Sequence, residues 1–354
     1  MAMPTEVLLI RADANAEIGT GHVMRCVALA QAWRDSGGRV AFVLAPGGAE
    51  IHERLRSEGF EVSVIAADPG GPEDAGQTAE LCARNEAEWL VLDGYHFSRD
   101  YRNAIRSTAH NLLLVDDHGA FAPYNCEVVL NTNVYASDAM YPDRRTQTRF
   151  LLGPRYALLR REFLEVQRGR ADVPERATRL LVTLGGADPH NVTLQVVEAL
   201  KELDDLRLEL TVVLGASNRH RASVERALNQ FPQAAQLLLN VANMPELMAR
   251  SDLAISAGGG TCDELAFLRV PMFLITIAKN QEQAVEAYCR NKAAVTGGWF
   301  EVLDKSRLVR SLRDLIGDRR LRGELAEKAG DMVDGHGAQR VVETICRTGT
   351  RAAR

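Results

Sequence analysis

Short, continuous apolar runs alternate with amphipathic helical patterns over most of this chain, and the alternation occurs in two series. The runs that we interpret as strands are Val7–Arg11, Val40–Leu44, Val62–Ile65, Trp89–Leu92, Leu112–Val115 and Val128–Leu130 in the first series, and Leu180–Leu184, Glu209–Leu214, Ala235–Leu239, Leu253–Ser256 and Met272–Ile275 in the second. Helices are predicted between most of them, for example over His22–Asp35. This alternation is typical of parallel sheets with helices on both faces.

One polar segment, Glu165–Arg179, interrupts the pattern; it is charged, contains Pro174 and has the composition of a linker. We therefore predict two Rossmann-like, doubly wound α/β domains that face a central cleft, residues 1–160 and residues 161–354. Helices near Ser306–Ile316 and Leu321–Met332 are expected to close the chain, and the basic tail from Arg347 to Arg354 is expected to be a frayed terminus.

The composition is that of a soluble globular protein, with 46% hydrophobic and 25% charged residues among 354. A net charge of −5 argues against binding to nucleic acid or to an acidic membrane surface. No apolar run approaches the roughly 18–20 residues of a membrane span, and the N-terminus lacks the features of a signal peptide. The six cysteines show neither CxxC nor metal-ligand spacing. We expect a cytoplasmic protein with reduced thiols, no metal or cofactor, and a monomeric or weakly dimeric state.

The first strand is followed by a glycine-containing loop, Ile18-Gly19-Thr20-Gly21-His22, which leads into a helix. Glycines let the backbone approach a ligand, and the start of a helix offers N–H groups to an anion. We predict that Asp13, Gly19 and Gly21 contact the substrate and that His22 faces the cleft. A dinucleotide-binding fingerprint is disfavoured, because Met24 replaces its third glycine and the second strand ends at Ala45 without a carboxylate.

A second glycine-rich turn, Ala257-Gly258-Gly259-Gly260-Thr261, follows a strand of the second series and could hold a diphosphate through backbone N–H groups. Glu264 lies about one turn further on, where it could bind a ribose diol or stabilise the helix dipole, although Asp263 is the stronger candidate for the dipole. In a third turn, around Gly186, Asp188 is interpreted as a helix N-cap. Lys279-Asn280-Gln281 suits a phosphate or a sugar hydroxyl, or is simply loop polarity.

Other polar residues follow predicted strands of the first series and could reach a sugar, although such residues are more often turn formers. They are Asp93, Tyr95, His96, Asp116, Asp117, His118 and Asn131–Asn133. The remaining histidines, His52, His110, His220 and His336, are expected at the surface. A P-loop, zinc or calcium spacing and a Gly-x-Ser-x-Gly nucleophile motif are absent from the sequence.

Taken together, Ile10–Asp13, Ile18–His22 and Met24–Cys26 form a distinctive opening. Leu92–Tyr95, Leu113–Asp117, Leu130–Asn133 with Tyr135-Ala136, Gly153–Phe163, Thr183–Asp188, Ile255–Phe267 and Lys279–Gln281 extend the pattern over nearly the whole chain. These segments resemble the UDP-sugar hydrolases of pseudaminic acid biosynthesis, which have relatives in spore-coat polysaccharide clusters. The family often has a histidine where Gly94 stands here.

The resemblance implies a GT-B architecture and a metal-independent hydrolysis of UDP-2,4-diacetamido-2,4,6-trideoxy-β-L-altropyranose to the free sugar and UDP. Water would attack the anomeric carbon with inversion, and His22 would be the catalytic base. The residues that would line the sugar pocket are Tyr95, Asn280 and Gln281, and those that would bind UDP are Gly186, Ala257, Gly258, Gly259, Gly260, Thr261 and Glu264. Two alternatives remain open: a glycosyltransferase that passes the sugar to an alcohol, and a non-catalytic binder of a nucleotide sugar.

Overall fold

The computed structural model describes residues 6–15, 18–106, 111–142, 147–168, 173–186, 188–215, 218–241 and 243–352, with side chains up to residue 348. Contacts within the chain divide it into two compact units. Unit 1 comprises residues 1–161 together with 335–354, and unit 2 comprises residues 162–334. Unit 2 is therefore inserted, along the sequence, between two parts of unit 1.

Unit 1 is built on a parallel sheet of seven strands in the order β3-β2-β1-β4-β5-β6-β7. The strands are β1 Val7–Ala12, β2 Arg39–Leu44, β3 Glu61–Val64, β4 Ala87–Asp93, β5 Asn111–Val115, β6 Val128–Asn131 and β7 Arg149–Leu152. The helices are α1 Gly21–Asp35, α2 Ala49–Ser57, α3 Pro72–Arg84, α4 Arg99–Arg106 and, at the unit boundary, α5 Arg161–Leu164. The last helix of the described chain, Gly337–Ala352, also belongs to this unit.

Both faces of this sheet are covered, because alternate residues of a strand point in opposite directions. Leu8 and Ile10 of β1 pack in one buried cluster with residues of α1 and of the C-terminal helix. Val7 and Leu9 pack in a second cluster with residues of α3 and α4. Continuous burial on both faces explains why the first apolar series predicts a parallel sheet.

Unit 2 contains a parallel sheet of six strands in the order β10-β9-β8-β11-β12-β13. The strands are β8 Arg179–Thr183, β9 Glu209–Leu214, β10 Ala234–Leu239, β11 Leu253–Ala257, β12 Met272–Thr276 and β13 Val295–Trp299. The helices are α6 Val192–Leu200, α7 Arg221–Asn229, α8 Met244–Arg250, α9 Thr261–Phe267, α10 Glu282–Arg290, α11 Lys305–Gly317 and α12 Arg319–Met332. The helix Gly337–Ala352, which belongs to unit 1, is α13. Asp304 and Asp318 begin α11 and α12 by accepting backbone N–H groups of Arg307 and Leu321.

Our sequence prediction misses strands β7 and β13 and helix α13. β7 begins with a charged residue at the sheet edge, and β13 contains Gly297 and Gly298, so neither has the apolar run of a central strand. α13 extends over residues that we expected to be a frayed terminus. Its Val341, Val342 and Ile345 are buried in the core of unit 1, so residues 335–354 join that unit instead of the second half of the chain.

The strand order of each sheet contains a point where the chain changes direction across the sheet. In unit 1 this point lies between β1 and β4, and in unit 2 it lies between β8 and β11. Ligands of doubly wound sheets bind beyond the carboxyl ends of the strands at such a point. Glycine-containing loops follow all four of these strands, so they lie at the two points where a ligand is expected.

Candidate active site

The carboxyl end of the unit 1 sheet brings His22 against Asp93. Ala12, the last residue of β1, pairs with Asp93, the last residue of β4, and α1 begins just after the loop that follows β1. The Nδ1 atom of His22 lies 2.7 Å from Oδ1 of Asp93. The His22 side chain is 11% exposed and that of Asp93 is fully buried. A carboxylate at Nδ1 favours the tautomer in which Nε2 carries the lone pair that can accept a proton.

Asp93 is held ionised at the centre of this cluster. Burial acts to raise its pKa, but the charge of Arg25 and hydrogen bonds from Arg25 and His22 hold the pKa well below its usual range. Arg25 donates to both carboxylate oxygens of Asp93, from Nε and from one terminal nitrogen, at 2.6 Å each. The Cys26 thiol donates to the same carboxylate at 3.4 Å. Asp93 therefore remains an acceptor for the His22 ring.

A second carboxylate, Asp117, connects three loops of unit 1. Its oxygens accept hydrogen bonds from the two terminal nitrogens of Arg25 at 3.0 and 2.9 Å. They also accept from the Tyr95 hydroxyl at 3.1 Å and from the Asn133 amide at 2.8 Å. The Tyr95 and His22 rings lie nearly perpendicular to each other at a centroid distance of 5.0 Å, and Tyr95 is 49% exposed. Tyr95 thus lies beside the histidine and is accessible to a ligand.

Asn15 makes two hydrogen bonds to residues that lie shortly before α1. Its side-chain oxygen accepts from the backbone N–H of Ile18, and its carbonyl accepts from that of Gly19, both at 2.9 Å. Gly19 has a φ of 73°, a conformation that favours glycine. A side chain added at Gly19 or Gly21 would meet nothing within 4 Å, so the backbone at both positions is open to a ligand.

Asp13, which we predict to bind substrate, is engaged within unit 1. It accepts from the Arg11 guanidinium at 2.5 Å and from the Ala45 backbone N–H at 2.6 Å, and its second oxygen lies 3.0 Å from Nε2 of His96. Burial acts to raise its pKa, but His96 and Arg11 lower the pKa to about 2. A side chain at position 94 would lie 2.8 Å from the His96 ring, so Gly94 leaves room for that ring.

Among the four histidines expected at the surface, His52 lies elsewhere in the structure. His52 is buried, contrary to our expectation, because it lies on the inner face of α2. Burial lowers its pKa, with the charge of Arg56 acting in the same direction. His110 lies outside the described residues.

In unit 2 the glycine turn after β11 has one buried glycine and two exposed ones. Gly258 is buried, and a side chain there would collide with Val285 of α10 and lie 3.2 Å from Cβ of Gln281. Gly259 and Gly260 are exposed, and a side chain at either position would meet nothing within 4 Å. The turn is thus packed on one side and has accessible backbone on the other.

Because Gly258 is packed and Gly259 is open, alanine variants at the two positions should differ: one should affect the stability of unit 2 and the other the binding of a ligand. We expect Gly258→Ala to destabilise unit 2, because Val285 would have to move. If this turn holds the diphosphate of UDP, as the sequence predicts, Gly259→Ala should leave the thermal unfolding midpoint unchanged but weaken UDP binding about tenfold, because its methyl group would enter the open space beside the turn. Calorimetric titration with UDP and thermal unfolding of both variants test this. UDP binding by Gly259→Ala at the unaltered affinity would show that the diphosphate lies elsewhere.

The two acidic residues after this turn have different surroundings. Asp263 accepts a hydrogen bond from the Tyr288 hydroxyl at 2.6 Å and so connects α9 to α10. Glu264 is partly exposed on the next position of α9. The ribose-binding assignment of Glu264 therefore stays a prediction that its exposure permits.

The remaining predicted ligand residues of unit 2 are placed as follows. Asp188 caps α6, because its two oxygens accept from the backbone N–H groups of Val192 at 2.9 Å and Thr193 at 2.8 Å. Gly186, just before it, is exposed. Asn280 is exposed, while the side-chain oxygen of Gln281 accepts from the Ile277 backbone N–H at 3.1 Å. Asn280 is thus the more available of the two amides.

Sequence reasoning did not single out Arg25 or the roles of Asp93 and Asp117. Both aspartates were among several strand-end residues of equal weight. The available signal was the position of Arg25 three residues after His22, which places both on one face of α1. Within the described residues, no group of three or more His, Cys, Asp or Glu side chains could hold a metal ion. No described helix is long and apolar enough to cross a membrane.

Residues 179–343 match the family model described as glycosyltransferase family 28 C-terminal domain. The structure is similar to that of MurG from Acinetobacter baumannii, with a TM-score of 0.69 at 17% identity over 97% of this chain and 100% of that one. It is also similar to a UDP-GlcNAc 2-epimerase from Neisseria meningitidis bound to UDP-GlcNAc, with a TM-score of 0.67 at 11% identity over 97% and 100%. This protein has the GT-B fold. The architecture implied by the sequence resemblance is therefore confirmed.

Curated relatives confirm the resemblance itself. The UDP-2,4-diacetamido-2,4,6-trideoxy-beta-L-altropyranose hydrolase of Campylobacter jejuni is 25% identical over 279 residues, which cover 78% of this chain and 93% of that enzyme. The spore coat polysaccharide biosynthesis protein SpsG of Bacillus subtilis is 27% identical over 267 residues, 68% of this chain and 78% of that protein. An uncharacterized protein of Methanocaldococcus jannaschii is 24% identical over 290 residues, 80% of this chain but 58% of the longer relative.

Proposed function

We propose that this protein hydrolyses a UDP-linked 2,4-diacetamido-2,4,6-trideoxy sugar to the free sugar and UDP, as a step of pseudaminic acid biosynthesis. The observation that carries the proposal is the His22–Asp93 pair, in which a buried carboxylate 2.7 Å from Nδ1 orients the imidazole as a base. Similarity to the Campylobacter jejuni hydrolase supports the choice of substrate.

The proposed reaction is a single displacement at the anomeric carbon. Nε2 of His22 takes a proton from water while the water oxygen forms a bond to C1. The bond between C1 and the UDP oxygen breaks, its electron pair leaves with UDP, and the sugar is released with inverted configuration. Asp93 stabilises the imidazolium that forms, because its carboxylate is ionised and accepts the Nδ1 proton in a hydrogen bond.

In this proposal unit 2 binds the UDP moiety. The exposed backbone at Gly259 and Gly260 would donate N–H groups to the diphosphate and stabilise the charge that develops on it. Ala257, Gly258 and Thr261 belong to the same turn and would bind UDP with it, Gly186 offers open backbone after the neighbouring strand β8, and Glu264 would bind the ribose. Tyr95, which lies beside His22, would contact the sugar, and the sugar-binding role of Asn280 stays a prediction from the resemblance.

A glycosyltransferase is the second candidate, and the match to the glycosyltransferase family 28 C-terminal domain favours it. The same histidine would then deprotonate an alcohol instead of water. The difference lies in the acceptor, so an assay without added acceptor separates the two candidates.

The test is incubation of the purified protein with UDP-2,4-diacetamido-2,4,6-trideoxy-β-L-altropyranose and EDTA in H₂¹⁸O. We expect ¹⁸O in the free sugar and unlabelled UDP, as measured by mass spectrometry, with the inverted anomer seen first by NMR. Label in UDP would mean attack at phosphorus and would remove the role proposed for His22. UDP binding without turnover would favour the transferase.

A further inference from the structure

We propose that Arg25 and Asp117 balance the charge around His22, so that removing either one moves the pH at which the imidazole takes up a proton, in opposite directions. Both are positioning residues, since their hydrogen bonds join the loops around His22 and neither is the base. The consequence for catalysis rests on the proposed function, but the titration of His22 does not.

The geometry shows a compact cluster of two carboxylates and one guanidinium. Nε of Arg25 donates to Asp93, one terminal nitrogen donates to Asp117, and the other donates to both carboxylates. The nitrogen shared by both carboxylates lies 3.2 Å from Nδ1 of His22. The cluster therefore has a charge of −1 when the imidazole is neutral and is neutral when it is protonated.

The charge state of each member follows from its neighbours. Burial acts to lower the pKa of Arg25, but the charges of Asp117 and Asp93 raise it well above its ordinary value. Burial acts to raise the pKa of Asp117, and the charge of Arg25 and its hydrogen bonds lower it overall. The three groups are thus ionised throughout the range in which a histidine titrates.

Other titratable groups face this cluster from the surrounding elements. Burial raises the pKa values of Cys26 on α1 and of Tyr95 after β4, with nearby aspartates acting in the same direction, so both side chains are neutral at pH 7. After β5, the His118 ring packs against Tyr95 at 5.1 Å, and Asp116 accepts from the Tyr124 hydroxyl at 2.6 Å. After β6, burial raises the pKa of Tyr135 to about 12, and its hydroxyl donates to the Asp117 carbonyl. Arg25, Asp93 and Asp117 therefore provide the permanent charge next to His22.

Removing either partner changes the charge in a defined direction. Without the positive charge of Arg25, two carboxylates remain beside the imidazole and stabilise its protonated form. Without the negative charge of Asp117, Arg25 is neutralised by Asp93 alone, and the protonated imidazole loses one source of stabilisation. A role confined to holding the loops together does not predict shifts of opposite sign.

The experiment follows the His22 ring resonance by NMR as a function of pH in the substrate-free protein, assigned by its loss in His22→Asn. We expect the titration midpoint of Arg25→Gln to rise by about one pH unit or more and that of Asp117→Asn to fall by about half a unit. Arg25→Lys, which also loses the forked geometry but keeps the charge, should titrate close to the unmodified protein. Thermal unfolding of each variant checks that it is folded.

Shifts of the same sign in Arg25→Gln and Asp117→Asn, or no shift in either folded variant, would overturn the proposal. The hydrolysis assay separates it from the proposed function. If His22 titrates as expected but no UDP-sugar is hydrolysed, the charge balance stands and the hydrolase assignment fails. If hydrolysis occurs but the acidic side of its pH–rate profile does not move in Arg25→Gln or in Asp117→Asn, the charge-balance proposal fails and the hydrolase assignment stands.

Discussion

Replacing His22 with alanine is expected to lower the rate of UDP-sugar hydrolysis about 10²- to 10⁴-fold, the range over which a positioned base contributes. The physical reason is the loss of the Nε2 lone pair that Asp93 orients through Nδ1. Affinity for UDP should not change, because the residues proposed to bind it belong to unit 2. Single-turnover kinetics and calorimetric titration with UDP measure the two quantities on the same preparation.

The matched control is His336→Ala, which removes an exposed histidine outside the site. It should hydrolyse the UDP-sugar at the unaltered rate. Turnover by His22→Ala within threefold of the unmodified protein would rule out His22 as the base. A parallel loss of UDP affinity would instead indicate a binding role for this residue.

The largest expected effect on stability belongs to Asp74. The side chains of Asp74 and Arg11 are both fully buried, with exposures of 0%. Arg11 donates to both Asp74 oxygens, at 3.1 and 2.8 Å. Asp74 also accepts from the Gly70 backbone, Thr78 and Tyr101. Asp74→Ala removes the acceptor of these donors and leaves the buried Arg11 guanidinium with Asp13 as its carboxylate partner, which should cost about 3–5 kcal/mol of unfolding free energy.

Urea unfolding, followed by a probe in unit 1, measures this cost. The control Asp205→Ala removes an exposed carboxylate that pairs with Arg313, and we expect no measurable change from it. A loss for Asp74→Ala no larger than that of the control would show that the buried pair adds little.

The contribution of Asp74 to the unfolding free energy is expected to depend on pH, and the sign of this dependence follows from its pKa. Burial acts to raise the pKa of Asp74, but hydrogen bonds and the charge of Arg11 lower it overall. A lowered pKa in the folded state means that the contribution is present above the unfolded pKa of about 3.9 and is lost as the pH falls through the folded value. The stability gap between the unmodified protein and Asp74→Ala should therefore narrow below about pH 4.

Much of the fold could be predicted from the sequence because its signals are local. Continuously apolar runs such as Leu112–Val115 are found as strands within one or two residues of their predicted ends. The strands that escaped prediction are those whose local signal is weak, β7 at a sheet edge and β13 with its two adjacent glycines. α13 escaped because a basic tail has no local feature that reveals a buried face.

The candidate site depends on information that is not local. His22 and Asp93 are separated by 71 positions, and they meet because β1 and β4 are neighbours in the sheet. Strand order is decided by packing of the whole unit, so single strand-end residues such as Asp93 and Asp117 could be noticed but not ranked. The glycine loops were predictable because they mark backbone turns directly.

The discontinuous sequence of unit 1 has a consequence for how the protein is made. The core that surrounds β1 includes Val341, Val342 and Ile345, which leave the ribosome only after all of unit 2 has been synthesised. Unit 2 is continuous from residue 162 to residue 334 and can begin folding as soon as it emerges. The apolar face of α1 therefore stays partly uncovered until α13 has been synthesised. During that interval chaperones can bind this face, or it can cause aggregation.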